Sequence, residues 1–164
     1  MQKITPFLWF DDQAEEAAHF YVAIFKNSKI VTLTRYGDAG PGPKGQVMTA
    51  AFELEGQRFT ALNGGKQPNM TFSEAISFVV QCDNQQEIDY YWSKLGEGTT
   101  WPGQCGWIKD KFGVSWQVVP KELPQLLSGE PERSQRVMQA LMKMTKLDVA
   151  ELKRAAGEPV GTLS

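Results

Sequence analysis

The stretch KDKFGVSWQVVP, Lys109 to Pro120, decides how the chain is read. Asp110 and Gly113 frame a D-x-x-G turn through Lys111 and Phe112, and the following GVSWQVVP alternates in period two with β-branched residues at its end. That pattern predicts a turn feeding a buried strand, with Ser115 and Gln117 on one face and Trp116 and Val118 on the other. A glutamine in the middle of such a strand has two readings. It is either a polar contact inside a cavity or an amide bonding a neighbouring strand or helix end.

Working outward, GQCGWIKD (103–110) predicts the strand on the far side of that turn. Upstream, FSEAISFVVQCD (72–83) reads as a strand. NQQEIDYYWSKLGEG (84–98) reads as a helix with an apolar stripe of Ile88, Tyr91, Trp92 and Leu95, ended by Gly96. A short strand near Thr99–Trp101 would complete a βαβββ module over 72–120. The first 65 residues repeat this order. ITPFLWF (4–10) predicts a strand and DDQAEEAAHFYVAIFKNS a helix, capped by Asp11 or Asp12 with Glu15 and Glu16 in its first turn. Three strands follow at 28–37, 46–56 and 57–65, the last two joined by a Glu55-Gly56 hairpin turn. GDAGPGPKG (37–45) is a mobile loop by composition. The order thus repeats although the letters hardly do, and the fold class is α+β.

Bulk properties agree with a soluble domain. The chain has 164 residues, 41% hydrophobic and 22% charged, with a net charge of −2. A chain of this size buries a core without staples. No basic stripe points to nucleic acid, and no apolar run reaches membrane-spanning length. The opening MQKITPFLWFDDQ lacks the pattern of a secretory leader. Two cysteines, Cys82 and Cys105, form no C-x-x-C pair, so the expectation is reduced thiols in a cytoplasmic protein. From Lys121 onward the composition changes. Residues 132–157 carry apolar positions at helical spacing and predict one long or two short helices. The expected division is 1–120 as one domain and 121–164 as a helical tail, within the same domain or at a dimer contact. Met138, Met142 and Met144 fill a core or interface there.

AEEAAHFY (14–21), LNGG (62–65) and CGWIKDKFGVSWQVVP (105–120), in this order, resemble the PhnB-like branch of the vicinal oxygen chelate superfamily, which includes glyoxalase I, extradiol dioxygenases and drug-resistance proteins. Members of that branch carry the label 3-demethylubiquinone-9 3-methyltransferase. The resemblance implies paired βαβββ modules forming a curved mixed sheet around a cavity, often with a second subunit. It also implies a divalent metal held by His, Glu or Gln at inward strand positions.

In this chain those positions fall near Thr5–Phe7, Ala61–Asn63, Ala75–Ser77 and Gln117. None holds a histidine; Asn63, the nearby Glu74 and Gln117 are the carboxylate or amide donors on offer, and neutral amides do not hold a hard cation unaided. The expectation is therefore no metal and no cofactor, with Glu74 and Gln117 as the weak candidates should one bind. Expected ligand contacts are Gln117, Ser115, Asn63, Trp107 and Trp101, although Asn63 also suits a simple Asn-Gly turn. His19 has Glu15 and Glu16 one turn before it and falls on the polar helix face, and Cys105 lacks the base a nucleophile needs. The functional expectation is a metal-independent, homodimeric binder of a small molecule. The alternatives are a glyoxalase-like or dioxygenase-like metalloenzyme and the methyltransferase of the family label.

Overall fold

A computed structural model describes residues 2–158. The chain divides into two compact units, Met1–Thr71 and Phe72–Ser164.

The first unit contains strand β1 (Phe7–Phe10), helix α1 (Ala14–Ile24), and strands β2 (Ser28–Arg35), β3 (Val47–Leu54) and β4 (Gln57–Asn63). The sheet order is β1-β4-β3-β2, with β1 parallel to β4 and the other pairs antiparallel. Period-two alternation sends Phe10, Phe52, Phe59 and Ala61 beneath α1, which buries Ala14, Ala17, Ala18, Tyr21 and Ile24. Alanine at three of those helix positions lets α1 lie close to the sheet. Tyr21 then stacks on Phe52 (5.9 Å between ring centroids) and Phe52 on Phe59 (5.4 Å). Each such aromatic pair adds about 1 kcal/mol beyond its buried area. At the Glu55-Gly56 turn both residues have positive φ (49° and 83°), the type I′ geometry that matches strand twist.

The helix cap differs from expectation. Neither Asp11 nor Asp12 caps α1; the cap position is Gln13, whose side chain makes no capping bond. The Ala14 N–H instead donates to Asn63 Oδ1 at 2.7 Å, so a residue at the end of β4 satisfies the first turn. Local spacing could not reveal a cap supplied from 49 positions away.

The 37–45 loop carries contacts of its own. Tyr36 bonds Gln46 through its N–H (2.9 Å) and accepts from the Gly45 N–H (2.9 Å), while Lys44 pairs with Asp38 at 2.8 Å. Glycine serves here for closeness rather than freedom. A Cβ at Gly42 would collide with the Tyr36 ring, whereas one at Gly37 would meet nothing within 4 Å. Gly42→Ala should therefore lower stability by about 2 kcal/mol through overpacking, while Gly37→Ala should leave it unchanged or slightly raised. Paired urea titrations check this, and equal effects at both positions would contradict it.

The second unit contains β5 (Ser77–Cys82), α2 (Gln85–Leu95), β6 (Trp107–Lys109), β7 (Ser115–Pro120), α3 (Leu123–Leu126), α4 (Pro131–Met142) and α5 (Val149–Ala155). Its sheet order is β5-β7-β6, with β5 parallel and β6 antiparallel to β7. Asn84 caps α2 by accepting from the Glu87 N–H, and Glu87 reaches back to the Asp83 N–H, both at 2.9 Å.

The strand expected at Thr99–Trp101 does not form. Gln104 and Trp107 bond each other across a turn in which Cys105 (φ 54°) and Gly106 (φ 85°) are left-handed. Continuing that ladder would bring Pro102 opposite Lys109 and Gly103 (φ 85°) opposite Ile108. Proline has no N–H to give and a left-handed glycine turns the chain away, so the pairing stops after one bridge.

Two longer tail helices and a short one pack over the β7 terminus. Leu126, Val137, Leu141, Leu147, Leu152 and Ala156 join Val119 in a core of their own. The Cys105 and Gly106 N–H groups donate to Met144 O and Thr145 O at 2.8 Å. The Gln85 amide donates to Leu147 O (3.0 Å) and accepts from the Val149 N–H (2.8 Å). Residues 159–164 of the predicted 121–164 tail lie outside the described residues. No described helix is long and apolar enough to cross a membrane.

Candidate functional site

The D-x-x-G turn sets the position of Gln117. Gly113 (φ 90°) closes it by donating to Asp110 O at 2.9 Å. The buried Asp110 carboxylate accepts from the Phe112 N–H (2.9 Å), the Val114 N–H (3.1 Å) and Trp116 Nε1 (2.9 Å). Trp116 is thereby turned toward α2, where it meets Phe78 at 5.4 Å. Alternation then fixes Ser115 and Gln117 on the face away from α2.

Register defines the rows of that face. Ser77, Ser115 and Lys109 lie side by side, and Val79, Gln117 and Trp107 form the next row. Gln117 Nε2 donates to Ser77 Oγ at 2.9 Å, which leaves its amide oxygen able to accept. Ser115 is only 2% exposed, and its hydroxyl has no partner in the structure. An unsatisfied buried hydroxyl costs about 1–3 kcal/mol, so it needs a specific reason. Lys109 Nζ pairs with Glu74 Oε1 at 2.7 Å and lies 5.6 Å from the Trp101 ring centroid. The lysine hydrogen bond, with help from its own backbone N–H, holds the Glu74 carboxyl below the usual carboxylate range. The pairing therefore favours the fold above that range and is lost as pH falls through the lowered pKa.

The expected residues thus divide. Ser115, Gln117 and Trp107 share one face of the sheet, and Ser77 and Lys109, which sequence reading passed over, complete it. The Asp110–Gly113 offset that located Gln117 also locates both strand neighbours once register is known. Trp101 lies at the edge of β6, where it lines a groove with the end of α2. Asn63 belongs to the first unit: it is 5% exposed beneath α1, with Oδ1 on Ala14 N–H and Nδ2 donating to Val47 O at 3.0 Å. Both ends of its amide serve the fold. His19 is exposed beside Glu15 (3.7 Å), a solvated i,i+4 pair.

The donor set does not suit a divalent metal. The rows around Gln117 supply hydroxyls, an amide, an ammonium, a valine and an indole, and their one neighbouring carboxylate is held by Lys109. Among the described residues no cluster of three His, Cys, Asp or Glu could hold an ion.

Both cysteines are free. Burial, with Glu87 and Asp83 adding to it, pushes the Cys82 thiol up to about 12. A thiol ionising near 9 when unfolded gives this stabilisation in full below that pH and loses it as pH rises toward 12. Iodoacetamide at pH 8 should modify the half-buried Cys105 and spare Cys82, as peptide mapping would show. Alkylation of Cys82 in the folded protein would contradict its burial.

Two βα units, each followed by an antiparallel hairpin and each carrying its helix on one sheet face, define a protein of the vicinal oxygen chelate class. The sequence profile of the family described as 3-demethylubiquinone-9 3-methyltransferase matches residues 2–119. A PhnB protein from Bacillus cereus is 41% identical over 72% of this chain and 99% of its own, with a TM-score of 0.64. A Staphylococcus aureus protein is 32% identical over 74% of this chain and 98% of its own, with a TM-score of 0.33. Protein PA1353 from Pseudomonas aeruginosa shares the fold at 20% identity over 73% and 98%, with a TM-score of 0.56. Among curated proteins no sequence matches significantly. The chain belongs to the 3-demethylubiquinone-9 3-methyltransferase family, in the PhnB-like branch of the glyoxalase and bleomycin-resistance superfamily. The family match ends at residue 119, and the three tail helices lie beyond it.

Proposed function

We propose that the protein is a metal-independent small-molecule-binding protein whose ligand lies on the β5–β7–β6 face away from α2. The observation that carries this reading is the half-buried Gln117 amide, whose nitrogen is held by Ser77 Oγ and whose oxygen is left to accept, between the 52% exposed Val79 and Trp107. A ligand with a donor for that oxygen would lie on this face, with Val79 and Trp107 as its apolar wall. The hydroxyls and the amide select for shape and polarity, and the charged group of this face, Lys109, is engaged by Glu74, so no free general base stands beside Gln117.

The methyl transfer in the family's name needs a site for a methyl donor. The glycine-rich loop of the first unit, 37–45, runs from β2 to β3 and packs on Tyr36, where a nucleotide-type cofactor loop would join a strand to a helix. A metal-dependent lyase or dioxygenase needs ligands that the Gln117 rows do not offer.

We take the working form to be a homodimer in the cytoplasm. Phe7 (58% exposed) and Val79 (52%) lie on edge strands, where a second copy would cover them, and two free thiols suit a reducing compartment. Light scattering reads the mass directly.

The test of the binding site is a small-molecule screen by thermal shift, repeated with Ser115→Ala and Gln117→Leu. Ligands that raise Tm for the parent should lose at least tenfold in affinity with Gln117→Leu. Ligands insensitive to both substitutions would place binding elsewhere.

A further inference from the structure

At the free edge of β6 the missing strand leaves a groove of about 410 Å³ between the end of α2 and residues 99–102. Trp92 and Trp101 line it together with Ile108 and the hydroxyl residues Ser93, Thr99 and Thr100. Ile108 alternates with Trp107 and Lys109 along β6, so this groove opens on the opposite side of the sheet from Gln117. Its volume is that of a small-ligand site.

The walls are preset. The Trp92 ring lies against Gly103, where an added Cβ would come within 2.6 Å of Cη2. The Trp101 backbone N–H donates to Thr99 Oγ1 at 3.2 Å and holds the main chain of the groove wall. The two indoles offer flat apolar surface, and the packed Trp92 ring does so at little entropic cost.

Lys109 does not line the groove: it leaves β6 on the Gln117 face, but β6 is the sheet's edge strand, and the ammonium lies 5.6 Å from the ring centroid of Trp101, which does line it. The lysine's carboxylate partner, Glu74, belongs to the segment before β5 and is the looser member of the pair, 52% exposed against 27% for the lysine. An exposed ion pair contributes little to stability, so exchanging one carboxylate for another costs the fold little. The same carboxylate attached to an aromatic body gains the groove as well.

We propose that this groove binds a small aromatic carboxylate, with its ring against Trp92 and Trp101 and its carboxylate on Lys109 in place of Glu74. Glu74 acts as the resident competitor for the lysine.

Phenylacetate and its neutral near-isostere 2-phenylethanol separate this arrangement from simple apolar capture. Titrated by isothermal calorimetry, with tryptophan fluorescence as a second readout, phenylacetate should bind one site at least tenfold tighter than the alcohol. Lys109→Met should abolish that preference in protein whose circular dichroism and melting are unchanged. Glu74→Gln should tighten phenylacetate severalfold, a gain that misfolding cannot produce. Equal binding of acid and alcohol would overturn the proposal, as would no gain on Glu74→Gln. So would loss of binding with Gln117→Leu while Lys109→Met has no effect, because the ligand would then lie at Gln117 and not in the groove.

Discussion

Asp110→Asn should lower unfolding free energy by about 3 kcal/mol and Tm by roughly 8 °C, the largest effect expected of any single polar change here. The carboxylate is 3% exposed and accepts from two backbone N–H groups and the Trp116 indole. An asparagine keeps its one oxygen for the turn but presents an NH₂ to the indole N–H, leaving two donors face to face. Bonds to a charged acceptor contribute about 1.5–3 kcal/mol, and the stranded indole adds a desolvation cost. Loss should extend beyond stability. Trp116 orients β7, so ligands held by Gln117 should weaken as well, although Asp110 never faces them. Urea unfolding followed by Trp fluorescence measures the first effect. A change below about 1 kcal/mol would show that the three bonds are not jointly made.

Asn63→Ala should cost about 2 kcal/mol, made up of roughly 1 for the cap on α1 and roughly 1 for the bond to Val47 O. Its effect on ligand affinity should be nil at temperatures well below melting, because the side chain points beneath α1 rather than to the sheet's other face. That pairing of outcomes separates a structural amide from a binding one. Undiminished stability with weakened ligand binding would return Asn63 to the site.

How far the sequence could be read follows from the range of the interactions involved. The repeated element order and the turn types were legible because they are local. Period two gave β7 its faces, D-x-x-G its turn, and Glu55-Gly56 its hairpin. The α1 apolar face was legible for the same reason. What could not be read depends on partners distant in sequence. The cap on α1 comes from Asn63, and the loop at 37–45 is fastened by the shape of Tyr36, which composition does not encode. The missing strand is an instructive miss, since Pro102 and Gly103 were visible throughout. Their force comes only from register, which sets a residue without an N–H against Lys109. Of the expected site residues, Gln117, Ser115 and Trp107 lie on one face because a single turn fixed them. Lys109 and Ser77 were passed over because each becomes significant only beside its strand neighbour.

The tail illustrates another boundary. Helical spacing foretold helices, and the structure divides them at residues 143–148 around Leu147, whose side chain packs near Gly106. Lys146 adds an ion pair to Asp89 at 2.8 Å, and the Arg133 guanidinium pairs with Glu158. The first joins the tail to α2 and the second ties α4 to the segment after α5, beside a turn that has left-handed geometry at Cys105. Non-glycine residues adopt that conformation at a cost of about 1–2 kcal/mol, here offset by the N–H bond to Met144 O and by side-chain packing in the tail core.

The central claim is that Gln117 serves a ligand directly and not through a metal. Elemental analysis of protein purified without chelator, followed by melting with nickel, manganese and zinc, tests it most directly. The account predicts substoichiometric metal and no stabilisation by any of the three ions, with melting unchanged by Gln117→Ala in their presence. Stoichiometric metal that is lost on Gln117→Ala or Glu74→Ala would contradict it and make the protein a metalloenzyme of its superfamily.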